Sequence, residues 1–395
     1  MKKVFLFSTA FLLLIASVCS CSDEQSVALQ NEPNSGIKQM LDNFYGKPNG
    51  STRSTVANIQ IDGIERQTYE MQGDSAIKVN AQARTRAAQN ETSTTFDLAY
   101  VSFHIGGKKG FSLLSDDERL NRVFFFTPNG CVADTADIPA LKEYLDNIPQ
   151  FAAAEIHTNP QRVATQQATV TEQIDPIVKT EWGQRDPFNL CASSCANLKC
   201  TNPKHGTFIP PIGCVNIAVA QYIAHCGKFL GTFYGNRDID FKSLTSHTYP
   251  QTINERGICA RFLHEIALCC QTQFTCDGSS TTAKAAYYYL NDLTYNCTYT
   301  EGGIDATRVR TDLLKGYPHL MAGFDSEKKE GHMWIIDGLR TYSDGTHDYW
   351  CNWGWGGSSN GWIYGNPYTA ILSDGTTYRF TKNMAHIYTN SLPNY

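Results

Sequence analysis

Residues 213 to 224 constrain the fold more than any other stretch of this chain. Behind Pro210, Pro211 and Gly213, which break any preceding element, Val215, Ala218, Val219, Tyr222 and Ile223 recur at helical spacing. Ile217, Ala220 and Ala224 fill the remaining faces. A helix that is apolar nearly all round has no face to give to water, so it must lie inside a domain with other elements around it. Its first residue is Cys214. The partial positive charge at a helix N-terminus favours thiolate over thiol. A free thiol of pKa ~8.5 is only slightly ionised at neutral pH, and a helix end together with an imidazolium lowers that to ~3–4 in thiol enzymes. Taken alone, Cys214 fits a core or disulfide cysteine equally well, because the chain carries 14 cysteines.

Three other segments offer partners. Within Gly331 to Gly338, Met333–Ile336 reads as a strand, with Gly331 allowing close approach just before His332. His347 to Gly357 reads as a second strand that ends in a glycine–tryptophan turn. Met333–Asp337 and Asp348–Asn352 are close enough in sequence to pair as a hairpin, which would bring Asn352 beside His332. There its side-chain oxygen could fix the tautomer and direction of the imidazole. Trp353 and Trp355 would then shield that hydrogen bond, or simply pack. Upstream, Trp182-Gly183-Gln184 supplies an amide. Gln184 could join the Cys214 backbone N–H as an oxyanion donor, worth ~2.7–4 kcal/mol in acyl-transfer enzymes.

The chain has 395 residues, 42% hydrophobic and 18% charged, which allows two or three domains. A net charge of −5 gives no basic stripe for nucleic acid. Lys2 and Lys3 precede an apolar run from Val4 to Val18 that is short for a bilayer span. It ends in Val18-Cys19-Ser20-Cys21, which resembles a bacterial lipobox with Cys21 as the acylated residue; a cleavable secretory signal is the alternative. The following Ser22-Asp23-Glu24 is similar to tags that send some Bacteroidota lipoproteins to the cell surface. Residues 1–20 are thus read as a signal peptide, and the mature chain as exported, an outer-membrane or cell-surface lipoprotein or a secreted protein. Arg84-Thr85-Arg86 offers a site for proteolytic nicking. From Asp97 to Phe126 the pattern is three strands, Ile138–Ile148 reads as a short helix, and Ala152–Thr171 is polar enough to be a linker. The domain boundary is placed in that linker, giving residues 21–165 as one unit and 166–395 as another.

Eleven cysteines fall between Cys191 and Cys351; one nucleophile leaves ten, an even number compatible with disulfides in an exported protein. The pairing stays open. Cys191, Cys195, Cys200 and His205 have the residue types for tetrahedral zinc, but their spacing departs from the usual short pairs. Disulfides or thiols are the preferred reading, with no metal and no cofactor expected.

Trp182-Gly183-Gln184, Gly213-Cys214-Val215, Gly331-His332 with Ile336-Asp337-Gly338, and Asn352-Trp353-Gly354-Trp355-Gly356-Gly357 occur in the order of the streptopain family of papain-like cysteine peptidases. The last block is the most telling. Asp97–Pro149 also resembles the inhibitory propeptide of that family, through Gly110 to Asp117. The resemblance implies an α+β fold: a two-lobed papain-like domain, with a helical lobe carrying the cysteine and an antiparallel sheet lobe carrying the histidine, behind a small α+β prodomain. It implies Cys214 as nucleophile, His332 as general base and acid, Asn352 as the orienting group and Gln184 as oxyanion donor. Ser280, Gly331 and Trp353 would contact the peptide substrate. The implied protein is a cysteine endopeptidase zymogen acting on proteins or peptides, inhibited by its own prodomain until proteolysis and anchored to a membrane by lipid. A catalytically silent binding protein on the same fold is the rival, and acyl transfer by the same Cys–His chemistry is a third reading. The inserted cysteines between Gln184 and Cys214, and Asn216 two places after the nucleophile, depart from the family pattern.

Overall fold

The computed structural model describes residues 35–46, 58–79, 95–158, 168–192, 200–202, 206–228, 239–276, 278–325, 330–365 and 384–394. Cys21 and the signal segment, Arg84-Thr85-Arg86, Cys195, His205 and Asp277 lie outside them.

The N-terminal half opens with helix α1 (Ser35–Tyr45), which buries Ile37, Met40, Leu41 and Phe44, one stripe at helical spacing. Strands β1 (Gln60–Gln72), β2 (Ser75–Lys78), β3 (Thr95–Ile105), β4 (Lys108–Ser115) and β5 (Arg122–Thr127) follow. The last three are the strands expected between Asp97 and Phe126. Helix α2 runs from Pro139 to Thr158, well past the short helix expected to end at Ile148. Phe151, Ala152, Ala153 and Ile156 continue its buried stripe, so the first seven residues of the expected linker are helix. Alanine favours helix intrinsically, and here that preference coincides with a face to bury. The boundary expected near residue 165 falls between α2 and the next strand, in residues 159–167, outside the described ones.

The C-terminal half contains β6 (Val170–Ile174), the hairpin β7 (Cys200–Asn202) and β8 (Gly206–Phe208), helices α3 (Cys214–Cys226), α4 (Phe241–Leu244) and α5 (Ile253–Cys269), and the hairpin β9 (Gln273–Phe274) and β10 (Ser279–Ser280). Helix α6 (Ala283–Asp292), β11 (Asn296–Glu301), α7 (Ala306–Leu314), β12 (His319–Asp325), β13 (Glu330–Tyr342), β14 (His347–Asn352), β15 (Gly361–Tyr364) and β16 (Ala385–Ser391) complete it. The α+β class expected from the sequence is the one the chain adopts.

Among the described residues one antiparallel sheet runs through both halves in the order β11-β16-β12-β13-β14-β15-β5-β4-β3-β1-β2, with β6 also on β13. The halves meet at β15 and β5, where Trp362 faces Phe126 and Ile363 faces Phe125. Side chains alternate across a strand, and β13 divides two cores by that rule. Met333 and Ile335 pack with the helical side, which includes α3, α5 and α6. Trp334 and Ile336 pack on the opposite face, with α2, α7 and the N-terminal strands.

Candidate active site

Helix α3 is buried along nearly its whole length, from Val215 to Ala224, as its all-round apolar sequence requires. Gly213 caps it at φ +99°, a conformation that favours glycine. Cys214, the first helical residue, is half-buried. Burial pushes its thiol up, while the backbone N–H groups of Met333, Val215 and Cys214 itself pull the other way. The sulfur therefore lies under the start of β13, next to the residue that follows His332.

His332 is on the other side of that strand. Its Nε2 stands 2.9 Å from the Trp353 carbonyl, and its ring lies against Trp334, Trp353 and Trp355. A carbonyl can only accept, so Nε2 carries the proton. Burial lowers the His332 pKa to about 4. The cysteine and histidine are each held neutral, and the thiol is not a hydrogen-bond partner of the ring. In this conformation Cys214 and His332 do not pair.

Asn352 corrects the sequence expectation. The hairpin of β13 and β14 forms, but Asn352 faces Ile335 rather than His332. Directly opposite residues share a face, so Asn352 lies on the helical side with Cys214. Its Nδ2 donates to the Thr180 carbonyl (2.9 Å) and its Oδ1 accepts from the Gly354 N–H (3.2 Å) and from Gln221 Nε2 (3.4 Å). Gln221 Oε1 in turn accepts from the Trp182 N–H (2.9 Å). The Gln221 side chain thus ties helix α3 to the Trp182 segment and to Asn352. Sequence reasoning gave it no role; the available signal was a glutamine inside an otherwise nearly apolar helix.

Trp353 is also corrected. It is fully buried, so it touches no peptide in this conformation. Its indole N–H donates to the Ser359 carbonyl (2.9 Å), its backbone N–H donates to Asn360 Oδ1 (3.0 Å), and its carbonyl holds His332. Ser359 and Asn360 are themselves gripped by the N-terminal half. The Ser359 N–H donates to the Asn129 carbonyl (2.7 Å), Thr127 Oγ1 donates to the Asn360 carbonyl (2.7 Å), and Asn129 Nδ2 donates to the Gly357 carbonyl (3.0 Å). An unbroken set of contacts runs from the loop after β5 to the histidine ring.

Gln184 is buried, and its backbone carbonyl accepts from the Ile212 N–H (2.9 Å), which sets it beside the segment leading into Cys214. Gly331 is exposed; a Cβ there would stand 3.0 Å from Phe324 Cδ2. Ser280 is exposed on β10, whereas its neighbour Ser279 bonds the Pro211 carbonyl (2.5 Å). Cys200 forms a disulfide with Cys276, and a sulfur so bonded is no thiolate ligand, which removes one member of the zinc set. Cys214, Cys226, Cys259, Cys269, Cys270, Cys297 and Cys351 are thiols, so fewer cysteines are crosslinked than an even count of ten allows.

Asp337, on the same strand, carries a pH prediction. It is buried, Oδ2 accepts from the Val178 N–H (2.8 Å), and Oδ1 has no hydrogen-bond partner. Burial raises its pKa to about 7, against ~3.9 in an unfolded chain. Its contribution to stability is therefore fully present below pH ~4 and is lost as pH rises through about 7. Asp337→Asn should raise stability at pH 8 by ~2–4 kcal/mol and change little at pH 4. Urea unfolding at the two pH values measures this; equal shifts at both would refute the assignment. His332 works in the opposite sense: its lowered pKa gives stability present above pH ~6.5 and lost as pH falls through about 4.

Comparison with known proteins agrees with the site. The Peptidase C10 family model matches residues 182–363, a span that includes Gln184, Cys214, His332 and Asn352. Over that span the chain is similar to cysteine-type peptidases. Of individual proteins, the thiol protease/hemagglutinin PrtT of Porphyromonas gingivalis is 24% identical over 384 residues, which cover 87% of this chain and 39% of that protein. The chain thus spans about two-fifths of the length of the curated relative it matches. A solved fragment of Prevotella intermedia prointerpain A is 20% identical, with a TM-score of 0.49, over 73% of this chain and 94% of the fragment.

Proposed function

We propose that the chain is the zymogen of an exported cysteine endopeptidase, with Cys214 as nucleophile, His332 as its base and acid, and the unit before residue ~165 as its inhibitor. The observation that carries this reading is the position of Cys214: first residue of a buried helix, its sulfur under the backbone of the strand that bears His332. The contacts from Asn129 and Thr127 through Ser359 and Asn360 to Trp353 and His332 support an inhibited state. They keep the imidazole on the wrong face of β13.

Activation would release the loop after β5, free Trp353 and let His332 turn toward Cys214. Asn352 already lies on that face, so its Oδ1 can take the ring N–H and leave the other nitrogen to draw the proton from the thiol. The thiolate then attacks the peptide carbonyl, and the amide of Gln184 and a backbone N–H hold the oxyanion. Protonated His332 gives its proton to the leaving amine, and water deprotonated by His332 hydrolyses the thioester. Lipid attachment at Cys21 and export complete the proposal. Among the described residues no helix is long and apolar enough to cross a membrane.

Incubation of the full chain with a denatured protein tests the function. The expected result is a set of protein fragments together with a new N-terminus for the chain itself, within residues 159–167 or at Arg84-Thr85-Arg86. A chain that stays intact and cuts nothing, even after the N-terminal unit is removed by an added protease, would favour the silent binding protein instead.

A further inference from the structure

The cysteines inserted ahead of the nucleophile have no place in the reaction just described, yet one of them is fixed. Cys200 is fully buried and bonded to Cys276. Cys200 pairs with Phe208 across the β7–β8 hairpin, and that hairpin runs through Ile209 directly into Pro210-Pro211-Ile212-Gly213 and Cys214. Cys276 stands in the turn of the β9–β10 hairpin.

The same two segments are tied again at their other ends. Ser279 Oγ donates to the Pro211 carbonyl (2.5 Å). Asn216 Nδ2 donates to the Ile212 carbonyl (2.7 Å) and to Thr272 Oγ1 (2.9 Å). A Cβ on Gly213 would lie 3.2 Å from the Ser279 carbonyl, so the two backbones touch. Disulfide and hydrogen bonds together close a ring from Cys200 through Pro211 and Ser279 back to Cys276. On its far side the lead-in to Cys214 is pinned by Asn189 Nδ2, which donates to the Ile209 and Pro210 carbonyls, and by the Ile212 N–H on the Gln184 carbonyl.

We propose that Cys200 and Cys276 are positioning residues: their disulfide holds the β9–β10 hairpin as a wall beside Cys214, and so sets the affinity for an extended peptide. The proposal rests on the peptidase reading. A peptide whose carbonyl reaches Cys214 passes Ser279 and the exposed Ser280, and a wall held from one end only would yield to it. A short substrate that reaches no further than the sulfur gains nothing from the wall.

The full chain carrying both Cys200→Ser and Cys276→Ser tests this through two readouts. One is the rate at which iodoacetamide alkylates Cys214, followed by mass spectrometry; the other is KM and kcat, after activation, for an extended peptide and for a single-residue amide. Cys214 alkylation should quicken at least ~3-fold, and KM for the extended peptide should rise ~10-fold, with kcat for both substrates and KM for the amide within ~2-fold. Should the double variant fail to fold, wild type reduced by a phosphine, with the two freed thiols verified by mass, takes its place. Unchanged alkylation with unchanged KM overturns the proposal, as does an equal loss of kcat on both substrates with KM unmoved. If wild type cleaves neither substrate while the variant's Cys214 still alkylates faster, the peptidase reading fails, and with it the role in peptide affinity, while the disulfide's hold on the segment beside Cys214 stands.

Discussion

Replacing Cys214 with alanine should leave a folded chain whose kcat/KM on a peptide substrate is lower by on the order of 10³-fold or more, the scale on which removal of a covalent nucleophile acts. Alanine is the best helix former, and position 214 lies at the helix start, so the change removes the sulfur with little cost to helix α3. The loss is large because no neighbour can substitute. Cys226 ends helix α3, Cys259 and Cys269 lie in α5, Cys297 is on β11, and Cys351 packs on the opposite face of the sheet. The variant should also fail to process its own N-terminus while remaining a substrate for added wild type. Circular dichroism establishes the fold and a fluorogenic peptide the rate; activity equal to wild type would end the assignment of Cys214.

Trp353→Ala should be the most damaging single change to stability near the site. The indole is fully buried and lies tilted at 40° against Trp334, 5.4 Å between centroids. Loss of so large a buried ring costs ~3–5 kcal/mol, out of a total that is typically ~5–15 kcal/mol. At roughly 2 °C per kcal/mol for a domain of this size, the melting midpoint should fall by ~6–10 °C. Trp353→Phe keeps most of the apolar volume and leaves only the Ser359 carbonyl without its donor, so its cost should be nearer ~1–2 kcal/mol. The two variants separate packing from hydrogen bonding. The alanine variant should also loosen His332, since the backbone that holds the ring loses its anchor. A thermal midpoint within ~1 °C of wild type for Trp353→Ala would show that the cage around His332 is not built as described.

Much of this was legible in the sequence, and for local reasons. The all-apolar run after Cys214 could only be a buried helix. The short apolar and aromatic runs at Leu98–Phe103, Phe111–Leu114 and Val123–Phe126, broken by Gly106-Gly107 and a polar loop, read as strands, and the proximity of Met333–Asp337 to Asp348–Asn352 implied their hairpin. What escaped was set by partners far away in the chain. Whether His332 faces Cys214 depends on which alternate set of β13 side chains packs on α3, and that is decided by Met333 and Ile335 meeting the helical core. Asn352 bonds Thr180 and Gln221 because the hairpin register opposes it to Ile335. The junction of β5 with β15 joins Phe125 and Phe126 to residues more than two hundred positions away, and no periodicity announces such a pairing. Helix α2 ran on because Ala152, Ala153 and Ile156 had a core to meet, which their polar neighbours concealed. The Cys200–Cys276 bond, one of many pairings open to so many cysteines, was beyond any count.

Buried sulfur and misplaced imidazole are held here as two neutral groups on opposite faces of one strand, and removal of the N-terminal unit is what should unite them. The most direct measurement is labelling by an irreversible, thiol-directed peptidyl inhibitor, mapped by mass spectrometry before and after that removal. The expected outcome is one adduct per molecule, on Cys214, only after removal, and none in His332→Ala. Adducts spread over the exposed Cys269 and other thiols, with Cys214 unmodified in the processed protein, would contradict it.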